Sequence, residues 1–302
     1  EERNLPLLYE RLRQVTAALS HRFEFVFVDD GSLDGGREFV LREIARRDDV
    51  RLVELARNFG HQTAVFAGLQ HATGDAVIIM DTDLQDRPEA IPLLIQRWED
   101  GFQVVYAIRS KRKEFFLKRM LFAGFYRVLG RLAEIPIPVG AGLFSLMDRR
   151  VVDVLAGLPE RNRYLPGLRA WAGFSQTGVE VERDERTDGR PRVSLLGLVR
   201  LAADAIFSFS RLPLRLATAV GVCAAIVALA GTTIVLYKKF ISLEAIPGWT
   251  SILLSILFLG AIQLVCLGIV GEYLGRIYEE VKRRPSYVVR CIHGRQAGDA
   301  TA

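Results

Sequence analysis

The sequence predicts an α/β fold: a mostly parallel sheet with helices on both faces, followed by interfacial amphipathic helices and two transmembrane helices. Three observations predict it. Between residues 23 and 108, short apolar strand-like runs alternate with helix-like stretches. Residues 216–237 and 245–271 contain no charged residue. Most of the charge lies in residues 1–210, as in a water-facing domain. Strand–helix units with continuous apolar strands belong to parallel sheets covered on both faces. Each uncharged run exceeds the roughly 20 residues that cross a bilayer core.

The elements follow in order. Residues 4–20 place Leu5, Leu8, Leu12, Val15 and Leu19 at helical spacing. Residues 23–28 are a β-prone run that enters a loop at Asp29-Asp30-Gly31-Ser32. A helix is expected over about 34–47, a strand over 51–55 and a helix over about 61–72. Residues 76–80 read as an apolar strand ending on Asp81. Pro88 suits the first turn of a helix that runs to about Trp98, and 104–108 is a further strand. In such sheets ligands bind beyond the carboxyl ends of the strands. Asp29-Asp30 and Asp81-Thr82-Asp83 both fall there. The chain opens on a helix and without Met, so a strand ahead of residue 1 is expected. Residues 115–132 combine Phe115, Phe122, Tyr126 and Leu129 with Arg119, Arg127 and Arg131. Over 194–208, Ser194, Gly197, Arg200, Asp204 and Ser208 recur every three or four positions among apolar residues. That pattern is an amphipathic helix for the membrane interface, or alternatively one packed on the water-facing domain.

The expected domains are 1–192, water-facing; 193–212, a juxtamembrane amphipathic helix; 213–275, a two-helix anchor; and 276–302, a cytoplasmic tail. The start Glu1-Glu2-Arg3-Asn4 is polar and offers no cleavable signal, so the first domain is expected in the cytoplasm. Arg211 and Arg215 precede the first span, and Arg276, Lys282, Arg283 and Arg284 follow the second. They outweigh Lys238 and Lys239 in the connecting loop, which places both flanks inside. Trp249 fits an interfacial anchor, and Trp98 a core residue. The net charge of +5 over 302 residues suits anionic lipid and is too modest to imply nucleic acid. Cys223, Cys266 and Cys291 fit neither a disulfide framework nor a zinc site, and His21, His71 and His293 show no metal spacing. Gly260, Gly268, Gly271 and Gly275 would let spans pack closely, and a homo-oligomer is expected.

The segment that carries chemistry is Asp81-Thr82-Asp83. In extended backbone, alternate side chains face the same way. Two carboxylates on one side suit a hard divalent cation, which takes oxygen ligands and commonly also binds substrate phosphates. Gln85 would add a neutral oxygen. A solvated acidic turn is the alternative, and the strand before it weighs against that. His61, after Gly60, would cap a helix or approach a ligand.

Val28-Asp29-Asp30-Gly31-Ser32-Leu33-Asp34-Gly35 with Asp81-Thr82-Asp83-Leu84-Gln85-Asp86 resembles the family 2 glycosyltransferases of the GT-A fold. More narrowly, it resembles polyprenyl-phosphate glycosyltransferases, the group of dolichol-phosphate mannose synthase and the bacterial undecaprenyl-phosphate glucosyltransferases. Arg57-Asn58-Phe59-Gly60-His61-Gln62, Gly140-Ala141-Gly142-Leu143-Phe144 and Gly271-Glu272-Tyr273-Leu274-Gly275-Arg276-Ile277-Tyr278 extend the likeness over almost the whole chain. The resemblance implies roles. Asp29 and Asp30 would contact the base or ribose of a nucleotide sugar. Asp83, with Asp81 and Gln85, would hold Mg²⁺ or Mn²⁺ on the diphosphate. Arg109 and Arg119 would face donor and acceptor phosphates, with Lys111, Arg112 and Arg127 on the lipid side. Arg192 and Ser194 lie where the family often has Ser-Lys-Tyr-Ser, on the donor side. Glu1 stands where a first-strand Pro-x-Tyr-Asn-Glu would end at the nucleotide.

The chemistry agrees. A lipid phosphate has a second pKa near ~6, so its oxygen is already an anion at neutral pH and needs little help from a base. The difficult steps are bringing two anions together and stabilising the leaving diphosphate, which a cation and arginines do. The expected function is inverting transfer of one sugar from UDP-glucose to undecaprenyl phosphate, at the cytoplasmic face of a bacterial inner membrane, for cell-envelope glycan modification. Transfer of mannose or an aminoarabinose derivative stays open. A processive synthase would need more spans and a Gln-x-x-Arg-Trp segment, whose spacing Gln96-Arg97-Trp98 lacks. A non-catalytic membrane scaffold would have a broken metal pair, and both aspartates are intact.

Overall fold

The computed structural model describes residues 2–109, 141–161, 163–181, 212–237 and 248–294. The chain divides into two compact units, Glu1–Leu196 with Arg284–Ala302, and Gly197–Arg283.

In the first unit, helix α1 (Leu5–Ala17) leads to strand β1 (Phe25–Asp29), α2 (Gly36–Ile44), β2 (Val50–Leu55), α3 (His61–His71) and β3 (Ala76–Ile79). A 3-10 turn (Pro88–Ala90), α4 (Ile91–Glu99), β4 (Val104–Arg109), β5 (Ala141–Asp148), α5 (Arg149–Ala156), α6 (Leu165–Trp171) and β6 (Gln176–Val181) follow, and β7 (Val289–His293) lies near the C-terminus. Helix α1 starts with Pro in its first turn and buries Leu5, Leu8 and Tyr9. The Tyr9 ring meets Phe25, Phe27 and Phe39 edge-on at 5.5, 5.9 and 6.0 Å, which fixes the helix against β1 and α2. Each such pair stabilises by roughly 0.5–1.5 kcal/mol beyond the area it buries. Further along, Ile91, Leu94 and Ile95 of α4 pack on Val105, Ala107, Phe144 and Leu146 of β4 and β5.

Two mixed sheets result. One has the order β1-β2-β7, with β1 parallel and β7 antiparallel to β2. The other has the order β3-β5-β4-β6, with β5 antiparallel to both neighbours and β4 parallel to β6. This corrects the mostly parallel sheet expected from sequence. The cause is topological: β5 runs back between β3 and β4, pairing Ile79 with Ser145 and Val104 with Met147. The strands β1 and β3 belong to different sheets, and residues of both line one cavity of about 1140 Å³.

Residues 289–293, read from sequence as part of a tail, form β7. Ala56 N–H donates to the Val288 carbonyl at 2.8 Å, and Arg290 Nη2 donates to the Ala56 carbonyl at 2.9 Å. Tyr287 and Val289 pack against Val53, Leu55 and Ala67, and the Tyr287 hydroxyl bonds Gln70 of α3. Glu54, buried in β2, accepts a hydrogen bond from Arg37 and lies 3.1 Å from His293 Nε2.

The second unit contains α7 (Leu212–Tyr237) and α8 (Trp249–Val281), of 26 and 33 residues. They pack together, with Cys266 Sγ 3.7 Å from the Ala217 carbonyl oxygen. Val227, Leu229, Leu264, Val265 and Leu267 are exposed on them. Among the described residues, one stretch, Phe258–Val281, is long and apolar enough to cross a membrane, and Leu216–Gly231 is a shorter apolar stretch.

Candidate functional site

The carboxyl ends of β1 and β3 meet at the mouth of the cleft. Asp29, Asp30, Ser32, Asn58, His61 and Asp81, with Thr82 and Asp83, line it. Asp29, Asp30 and Asp83 each accept from backbone N–H groups. Asp29 Oδ1 accepts from Ser32 N–H at 2.8 Å, which closes the turn after β1. Gly31 sits there at φ 73°, and a Cβ on it would come within 2.8 Å of Asn58 N. Only glycine fits that approach. The Asp30 carboxylate spans the next loop: Oδ1 accepts from Phe59 N–H at 2.7 Å and Oδ2 from Gly60 N–H at 2.8 Å. Gly60 has φ 96° and leads directly into α3. His61, the first residue of α3, places Nε2 3.4 Å from Asp81 Oδ1. Beyond β3, Asp83 Oδ1 accepts from Gln85 N–H at 3.1 Å, and Leu84 stands at φ 60°, a left-handed conformation unusual for a branched side chain.

The structure brings Asp29, Asp30, Asp81 and Asp83 to one mouth. Gln85 is buried, 5% exposed, and is not a lining residue of the cleft. Arg109 ends β4, in register with Val181 of β6. Glu1, Lys111, Arg112, Arg119, Arg127, Arg192 and Ser194 lie outside the described residues, as do the helix expected over 194–208 and its neighbour over 115–132. The backbone-binding role of Asp30 and the approach of His61 to Asp81 depend on tertiary contacts, and no local pattern signals either. Arg169 of α6 is also new: its side chain is fully buried over the Tyr106 ring, 5.1 Å from the centroid. Burial lowers its pKa to about 10, so it stays a cation at neutral pH. Its Nη2 reaches the Gly142 carbonyl at 3.5 Å, where β5 begins beside the end of β4.

A mouth with four carboxylates repels an anion. The same donor set would suit a divalent cation that is also bound by phosphate oxygens. Among the described residues no group of three or more His, Cys, Asp or Glu side chains forms a dedicated cage. Two aspartates flanking one residue fit Mg²⁺ or Mn²⁺, which keep waters and substrate oxygens as remaining ligands.

The model of glycosyl transferase family 2 matches residues 2–155. The chain belongs to glycosyl transferase family 2. Its mixed sheets and flanking helices are accordingly a GT-A-like glycosyltransferase fold. Relatives span nearly the whole family 2 chain. The uncharacterized glycosyltransferase YkcC of Bacillus subtilis (strain 168) is 43% identical over 288 residues, 95% of this chain and 89% of that one. The prophage bactoprenol glucosyl transferase homolog of Escherichia coli (strain K12) is 39% identical over 294 residues, 97% and 96% of the two chains. The SfII prophage-derived bactoprenol glucosyl transferase of Shigella flexneri is 39% identical over 295 residues, 97% and 95%.

Proposed function

We propose that this glycosyltransferase transfers one glucose from UDP-glucose to a polyprenyl phosphate, undecaprenyl phosphate, with inversion, at the cytoplasmic face of the bacterial inner membrane. The carrying observation is that Asp81 and Asp83, just beyond β3, line one cavity together with Asp29 and Asp30 at the end of β1. Relatives named bactoprenol glucosyl transferases, alike over almost their full length, support the lipid acceptor and the glucose. Asp81 and Asp83 would hold Mg²⁺ or Mn²⁺, which when bound neutralises the donor diphosphate and helps it leave. Asp29 and the loop that Asp30 fixes would hold the nucleoside. Arg109, with Lys111, Arg112, Arg119 and Arg127, would meet donor and acceptor phosphates, and Arg192 and Ser194 would stand on the donor side. The acceptor phosphate oxygen forms the bond to the anomeric carbon on the face opposite the departing UDP. Its existing negative charge makes a strong general base unnecessary.

A two-span anchor fits the connectivity. The chain leaves the first unit ahead of α7 and rejoins it as β7 after α8. A unit on one side of a membrane demands an even number of crossings between those points. Phe258–Val281 meets the length and composition for one, and the 26 residues of α7 reach about 39 Å at 1.5 Å per residue, enough for the other. Exposed Leu and Val along both helices are costly in water and neutral in lipid. Gly260, Gly268, Gly271 and Gly275 of α8 offer close packing to a second copy, in line with a homo-oligomer.

Asp83→Ala tests the metal assignment. Transfer should fall by at least ~100-fold, the scale of losing one group that stabilises developing charge, with the circular dichroism spectrum unchanged. Undiminished transfer would remove Asp83 from the metal site.

A further inference from the structure

We infer that Arg290, at a bulge in β7, is a positioning residue for the nucleotide: it sets the far end of the loop that Asp30 holds. The inference rests on the reading above that Asp29 and this loop take the nucleoside, and it gives the C-terminal strand a part in donor binding.

The loop is residues 56–60, between β2 and α3. The turn after β1 fixes one end of it. Asp30 accepts from Phe59 N–H at 2.7 Å and from Gly60 N–H at 2.8 Å. The middle of the loop lies against the same turn, since a Cβ on Gly31 would come within 2.8 Å of Asn58 N and 3.0 Å of the Arg57 carbonyl carbon. These contacts lie within one sheet, where β1 and β2 pair in register from Phe25 with Val50 to Asp29 with Glu54. The other end of the loop is Ala56, one residue past β2. Both of its backbone groups are taken by the C-terminal segment. Its N–H donates to the Val288 carbonyl at 2.8 Å, and its carbonyl accepts from Arg290 Nη2 at 2.9 Å. Phe59 also packs on Val53, Leu55 and Ala67, the cluster that Tyr287 and Val289 cover.

The bulge explains how Arg290 reaches Ala56. Cys291 stands opposite Glu54 and Val289 opposite Leu55, so Arg290 is the extra residue between them. In a regular ladder Arg290 would pair with Leu55, and its side chain would stand roughly perpendicular to the sheet. A bulge bends its strand and re-aims a side chain, and bulges recur beside functional sites. Here the guanidinium turns to a carbonyl beyond the end of β2. Arg290 is exposed, so burial of its side chain does not account for the contact. An exposed hydrogen bond adds little to the fold as a whole, because water competes for both groups. Its effect is local. Ala56 held by Arg290 and residues 59 and 60 held by Asp30 leave the short loop between them one place to lie, beside Asp29.

The test uses the full chain in detergent with Mn²⁺ and measures UDP binding by calorimetry, then transfer kinetics. Arg290→Met keeps the apolar stem and removes the donor. It should weaken UDP binding by ~5-fold, within the range for a residue that tunes a site without touching the ligand. KM for the nucleotide sugar should rise equally, with kcat and KM for the lipid unchanged. Arg290→Lys keeps a cationic donor and should recover most of the affinity. Tyr287→Phe loosens the same segment at its bond to Gln70, away from Ala56. It should lower the melting temperature and leave UDP binding unchanged. The positioning role is overturned, with the nucleotide reading left standing, by parent affinity in Arg290→Met, by Arg290→Lys as weak as Arg290→Met, or by an equal loss in Tyr287→Phe. Parent protein that binds no UDP overturns both.

Discussion

Asp148 shows how one carboxylate ties three elements. It ends β5, and its Oδ1 accepts from Arg150 N–H at 3.0 Å as the N-cap of α5. Trp98 Nε1 of α4 donates to Oδ2 at 3.0 Å. The Arg150 guanidinium, then the Trp98 and backbone donors, hold its pKa down to about 2. A carboxyl depressed in the fold stabilises it fully above the unfolded value near ~3.9 and loses that contribution as pH falls toward the folded one. Asp148→Ala should therefore cost about 1–2 kcal/mol at neutral pH. The gap in melting temperature between parent and variant should stay constant above about pH 4 and shrink toward pH 2. At the site itself, the carboxylates were legible because Asp29-Asp30 and Asp81-Thr82-Asp83 terminate apolar strands. What each one holds was not. Asp30, expected at the nucleotide, also accepts from backbone 29 and 30 residues away, one N–H on each oxygen. Gln85 shares the acidic string but is buried, where its neighbours Asp81 and Asp83 are partly exposed. A string of residues records neighbours in sequence, and a loop that reverses sends adjacent side chains in different directions.

At the scale of elements, the helices α1 to α4 and strands β1 to β4 follow the hydrophobic periodicity closely, because each buries one face over many residues. The strands that changed the sheet are those without such a signal. β5 is identified by its partners β3 and β4, and antiparallel pairing between distant segments leaves no local mark. β7 is five residues long, Val-Arg-Cys-Ile-His, and follows a charged stretch, so its sequence resembles a tail. Only its fit to β2, more than two hundred residues earlier, makes it a strand. The pairing has a consequence for stability. A chain ending at Arg283 would lose β7, uncover the edge of β2 and strip Tyr287 and Val289 from Val53, Leu55 and Ala67. Removing two partly buried apolar side chains costs about 2–4 kcal/mol, and an uncovered edge strand invites association. The truncated protein should melt at lower temperature and aggregate on size exclusion in detergent. A melt unchanged from the parent would show that β7 adds nothing to the first unit.

For the molecule as a whole, the return of the chain as β7 links topology to function. If α7 and α8 both cross the membrane, the C-terminal strand and the cleft are on one side, with the nucleotide sugar. Cys291 in β7 is exposed and reports that side. With Cys223 and Cys266 replaced by Ser, a membrane-impermeant maleimide should label Cys291 in inverted vesicles and leave it unlabelled in intact spheroplasts. Labelling in spheroplasts would place the first unit outside and contradict the cytoplasmic donor.

The transfer itself is the remaining step. Purified protein in detergent should be given UDP-glucose labelled in the sugar, undecaprenyl phosphate and Mn²⁺, and the organic phase counted after extraction. The proposed reaction predicts label in a glucosyl phospholipid, dependent on both the lipid and the cation and lost with excess EDTA. Label that stays in the aqueous phase with this lipid present, or that reaches the lipid undiminished in EDTA, would contradict it.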